Sequence, residues 1–132
     1  MSSPTRCPCG SGDSYPDCCG RYHAGRPAPT AESLMRSRYS AFAMGLPDYL
    51  LRTWHPDTRP NELELDAAQR WLRLDVLGVY GGGLLDAEGT VDFQAHYRRT
   101  GVTTSRGMQS EVSTFRREGS EWRYYDGVRS LR

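Results

Sequence analysis

The chain has 132 residues, room for one ordinary domain and a short appendage, and carries no apolar run long enough to span a membrane. Its 17 basic residues, all arginine, nearly balance 16 acidic ones for a formal charge of +1, which argues against a protein that coats nucleic acid through bulk charge. Hydrophobic residues make up 37% and no secretory signal precedes the first polar segment, so the expected location is the cytoplasm, where thiols stay reduced.

All four cysteines, Cys7, Cys9, Cys18 and Cys19, fall within thirteen consecutive positions. Thiols gathered so closely point to one shared ligand. Soft sulfur donors converging from a short loop suit a closed four-coordinate Zn2+ site, and the glycines at 10, 12 and 20 permit the tight turns such a loop needs. Two disulfides are the competing reading, which a reducing compartment disfavours. Cys19 adjoins Cys18, and neighbours can both ligate only if the backbone turns sharply between them. His23 is therefore retained beside Cys19 as an alternative fourth ligand or as a supporting group.

Residues 20–29, rich in glycine and proline, read as a linker or wrapping segment. A helix is predicted from Thr30, a good N-cap, to Gly45, with Ala31, Leu34, Met35, Tyr39 and Phe42 on its core stripe. Arg38 falls inside that stripe. A guanidinium cannot shed its charge to suit an apolar site, so it requires a carboxylate, backbone carbonyls or a bound anion. A shorter helix follows over Pro47–Trp54, and His55 at its end either complements the helix dipole or serves as a general acid or base. One or two helical turns are expected within residues 57–70.

From Trp71 the period changes to two, with apolar residues on both faces. Gly81, Gly82 and Gly83 end that strand in a flexible hairpin connection. The next strand sets Val91, Phe93, Ala95 and Tyr97 inward and His96 outward. After a polar loop over 100–107, two further strands over 108–117 and 121–125 meet at a turn on Glu118, Gly119 and Ser120. Residues 91–132 hold eight arginines against five acids, whose ordinary reading is a solvated sheet face. Helices followed by antiparallel strands make an α+β fold.

The string Cys7-Pro8-Cys9-Gly10-Ser11-Gly12 followed by Cys18-Cys19-Gly20 resembles the SEC-C motif, a zinc-binding element found at the C-terminus of the SecA translocation ATPase. The stretches from Pro29 to Phe42, Tyr49 to Pro56 and Glu88 to Phe93 resemble the bacterial YchJ-like family. That resemblance implies a SEC-C-like segment and linker over 1–29, followed over 30–132 by a cone-shaped domain similar to nuclear transport factor 2 (NTF2). Two or three helices would pack there on a curved four-stranded antiparallel sheet. It also implies Zn2+ as cofactor and a protein partner for the hook, since the similar motif in SecA is an adaptor.

The expected cavity between helices and sheet has Arg38, Tyr39, Trp54, His55, Asp75 and Glu111 as candidate lining residues. Glu111 shares the period of Ser113 and Phe115, so it faces inward only if Phe115 does. The favoured reading is a zinc protein whose hook is structural or docks a partner and whose domain binds a protein or small ligand. The alternative is a small-molecule enzyme in which Arg38 anchors an anion and His55 or an inward carboxylate moves a proton. RNA contact through the arginines is a weaker third reading, and pairing of two copies through the outer sheet face is a further expectation.

Overall fold

In the computed structural model, which describes residues 5–101 and 103–129, a four-stranded antiparallel meander forms one layer. Its strands are β1 (Gln69–Gly81), β2 (Glu88–Arg99), β3 (Ser105–Glu118) and β4 (Glu121–Arg129), in the spatial order of the sequence. Three helices, α1 (Cys19–His23), α2 (Ala31–Met44) and α3 (Pro47–Arg52), form the other layer. The α+β class expected from the sequence is the observed one.

Helix α2 begins where Thr30 accepts from the backbone N–H of Ser33 while the Ser33 hydroxyl caps the backbone N–H of Thr30, a reciprocal capping box. It packs on β1, β2 and β4. Beyond α3 the chain is stitched to β4, since Tyr124 N–H donates to Thr53 O at 2.8 Å and His55 N–H to Tyr124 O at 2.7 Å. The Trp122 indole closes the far end by donating to Pro29 O at 3.1 Å.

The apolar residues on both sides of β1 have a mechanical cause. Bulges between Trp71 and Arg73 and between Val76 and Gly78 shift its register against β2. Trp71, Leu74 and Val76 therefore pack toward the core, while Leu72 and Leu77 are left about half exposed, at 48% and 47%.

Several local expectations need correction. Residues 57–70 form no helix: a turn at 56–58 leads through irregular chain to a second turn at 67–68 before β1, and Leu63 and Leu65 pack at the margin of the core. Strand β3 starts at Ser105, inside the segment expected to be loop. Gly20 to His23 belong to α1 instead of a linker. The glycine connection after β1 is a docked surface and not a free hinge, because Gly82 O accepts from Ala31 N–H at 2.9 Å. A Cβ at Gly82 would lie 2.6 Å from that of Ala31, so only glycine allows this approach.

Candidate metal centre and adjoining cavity

Short backbone bonds build the hook before any side chain is considered. Cys7 N–H donates to Asp13 O, Gly10 N–H to Cys7 O and Tyr15 N–H to Thr5 O, folding residues 5–15 back on themselves. Gly10 and Gly12 sit at φ of 81° and 91°, in the left-handed region the turn requires. A 3-10 turn over Tyr15–Asp17 then runs directly into α1, and the chain changes direction at Cys18. That change lets the adjacent Cys18 and Cys19 both face inward.

The four Sγ atoms lie within 4.8 Å of one another and all four residues are buried, Cys9 completely and Cys19 to 1% exposure. Cys9 and Cys18 sulfurs are 3.6 Å apart and those of Cys18 and Cys19 4.0 Å, far beyond a disulfide bond. Tetrahedral zinc at a Zn–S distance of ~2.3 Å sets its sulfurs about 3.8 Å apart, so the donor set fits that ion.

Electrostatics within the cluster lean the same way. The Cys9 thiol is drawn down, chiefly because the Cys19 thiol donates to it, and the same contact together with burial pushes Cys19 up. Burial raises Cys18. A cation among these sulfurs replaces shared protons as the source of positive charge. The Arg36 guanidinium adds a fixed charge beside them, donating to Cys9 O at 2.9 Å.

His23 is not among the converging donors. Its Nε2 lies 2.8 Å from Ser37 O, which can only accept, so that nitrogen carries the proton. Nδ1 then accepts from the Tyr15 hydroxyl at 2.6 Å. Burial lowers its basicity and keeps the ring neutral. The imidazole ties the hook to α2, and the fourth converging atom is the sulfur of Cys19.

The hook covers a face of α2 that the core stripe did not foretell. Ser40 Oγ lies 3.5 Å from Cys7 Sγ, and Ser37 Oγ bonds both Leu34 O and the Tyr49 hydroxyl. Ser37, Ser40 and Ala41 are fully buried. Their small size at spacings of three and four was the available signal, since a polar stripe of serines and alanine lets another backbone approach.

The opposite face of α2 borders a cavity of about 170 Å³, lined among others by Arg38, Tyr39, Trp54 and Glu111. Glu111 faces inward together with Phe115, which is buried. Two expected lining residues lie elsewhere. His55 faces away from the cavity, its Nδ1 accepting from Asp57 N–H and its ring edge on Tyr125. Asp75 sits on the outer sheet face, paired with His96 at 2.9 Å and Arg73 at 3.2 Å, because it alternates with the core residues Leu74 and Val76. The enzymatic reading thereby loses its histidine, leaving Glu111 as the inward carboxyl.

Arg38 is 5% exposed yet pairs with no carboxylate among the described residues. Its Nη1 donates to Leu50 O and Thr53 Oγ1, each at 2.7 Å, and the guanidinium stacks over Trp54 and Tyr124. Burial pulls it down to about 10, which leaves it charged at neutral pH. Burial also raises Tyr39 and Tyr124 to about 12.

Known proteins resemble both parts. Residues 30–127 match the family model of the YchJ middle NTF2-like domain. A UPF0225 protein of Corynebacterium glutamicum is 53% identical over 123 residues, covering 92% of this chain and 95% of that one. Another from Bordetella parapertussis is 52% identical over 130 residues, covering 96% and 94%. The solution structure of a SEC-C motif containing protein from Rhodopseudomonas palustris superposes with a TM-score of 0.76 at 36% identity, over 92% of this chain and 96% of that one. The crystal structure of a SEC-C motif containing protein from Psychrobacter arcticus gives 0.71 at 29%, over 96% and 83%.

Proposed function

This chain belongs to the YchJ-like family with an NTF2-like domain, and from that premise we propose that it is a zinc-dependent binding protein. Cys7, Cys9, Cys18 and Cys19 hold one Zn2+ in a closed structural site. The ion fixes the hook against α2, and the domain behind it presents a cavity to a small ligand. The observation that carries this reading is the convergence of four buried sulfurs within 4.8 Å, with His23 spent on Tyr15 and Ser37.

A closed shell of four thiolates leaves no position for water or substrate, so the ion supplies folding energy and no chemistry. Burial of all four cysteines against α2 favours a clasp over a detached adaptor. A protein partner would meet the hook on its exposed turn, Gly10 to Asp13. No helix among the described residues is long and apolar enough to cross a membrane.

The test is elemental analysis of protein purified under reducing, chelator-free conditions, for the wild type and Cys9→Ser. One zinc per chain in the wild type and loss of it in the variant, with the hook's amide protection lost as well, is the expected result. Metal-free wild type with a fully protected hook would overturn the proposal.

A further inference from the structure

The cavity wall carries two opposite charges that do not meet. Arg38 and Glu111 both line it, and no ion pair within 4.0 Å joins them among the described residues. Among the described residues Arg38 hydrogen-bonds acceptors through Nη1 alone, so Nε and Nη2 have no hydrogen-bond partner there, on a side chain more than nine-tenths buried. A buried guanidinium left in this condition stands to gain from an anion.

Glu111 is the mirror case. Among the described residues it accepts one hydrogen bond, from Ser113 Oγ at 2.8 Å, and keeps acceptor capacity to spare. Space for its carboxyl is provided by β4, because a Cβ on Gly127 would stand 2.6 Å from the Glu111 carboxyl carbon. Much of the remaining wall is aromatic, with Phe42, Trp71, Phe93 and Phe115 among its lining. A volume of about 170 Å³ suits one six-membered ring, since an apolar cavity of ~150 Å³ holds benzene.

We infer that the cavity binds a single-ring carboxylate with a hydrogen-bond donor at its far end, the carboxylate on Arg38, the donor on Glu111 and the ring among the aromatic side chains. This rests on the reading of the cavity as a ligand site and names the ligand's chemical class. An acid lacking the donor leaves Glu111 unpaired, and a phenol lacking the carboxylate leaves Arg38 unpaired. Each loss weakens binding, and the second more, because the guanidinium is the more deeply buried group.

The test titrates zinc-loaded, full-length protein with 3-hydroxybenzoate, 4-hydroxybenzoate, benzoate and phenol. It follows the fluorescence of Trp54 and Trp71, which line the cavity, and the amide shifts of β3. At least one hydroxybenzoate is expected to bind, with benzoate about tenfold weaker and phenol weaker still. Glu111→Gln should bring hydroxybenzoate and benzoate toward equal affinity, and Arg38→Gln should abolish carboxylate preference. Since Arg38 also holds Leu50 O and its variant stands to lose the fold, the ligand series and Glu111→Gln carry the test alone if needed. Phenol binding as tightly as either hydroxybenzoate overturns the ligand class and leaves a cavity that binds apolar rings. Silence from all four probes at millimolar concentration overturns both the class and the cavity reading.

Discussion

Helix α2 serves two regions that treat their polar groups in opposite ways. On the hook side Ser37, Ser40 and His23 are buried or half-buried, and each is engaged by a neighbour. On the cavity side Arg38 retains unpartnered N–H groups, and the hydroxyls of Tyr39 and Tyr124 make no hydrogen bond among the described residues. Saturated contacts give one arrangement and a rigid joint. Unspent donors around a void have a cost that a ligand relieves. The first region is accordingly read as structure and the second as a binding surface.

The largest expected effect lies on the hook side. Removing zinc with a chelator, or replacing Cys9 by serine, should cost at least ~3 kcal/mol and lower Tm by roughly 10 °C. Calorimetry of loaded and stripped protein checks this, and an unchanged Tm would make the hook an ornament on an independent domain. Gly82→Ala should cost about 1–3 kcal/mol, because its Cβ would meet Ala31 and its φ of 76° strains alanine. Denaturant melts that leave the midpoint in place would show the β1–β2 connection to be free of α2.

A sharper contrast comes from deleting one hydroxyl on each side of the helix. Ser37→Ala should cost ~1–2 kcal/mol because it strands the buried Tyr49 hydroxyl, whereas Tyr39→Phe should stay within about 0.5 kcal/mol. Equal losses in paired urea melts would erase the distinction between the two faces.

The smallest effect is a pH dependence. Burial holds His23 below its unfolded value of about 6.5, so its folded form favours the neutral ring. Its contribution is therefore complete above the unfolded value and declines as pH falls through the folded one. Stability should drop on acidification from pH 7 in the wild type, and His23→Gln should flatten that slope relative to it. A steeper slope in the variant would contradict the assigned tautomer.

How far the sequence disclosed this arrangement depended on whether a signal was local. The cysteine cluster, the Thr30 cap and the alternation of β2 are carried by neighbouring residues, and the structure shows each element. The placement of His55 and Asp75 was not local. His55 is turned outward by pairing of its backbone with Tyr124, 69 positions away, and Asp75 depends on which side of β1 meets the helices, which apolar residues on both sides of that strand leave open. The second buried face of α2 was visible as Ser37, Ser40 and Ala41, but reads as polar until a partner covering it is known. Gly127 was opaque for the same reason, its role being to leave room for a side chain on another strand.

X-ray absorption at the zinc edge on reduced, full-length protein addresses the four-thiolate clasp most directly. The proposed clasp requires one zinc per chain with four sulfurs at ~2.3 Å and no nitrogen in the shell. A shell containing imidazole nitrogen or bound water, or sulfurs found joined as disulfides with no metal between them, would contradict it.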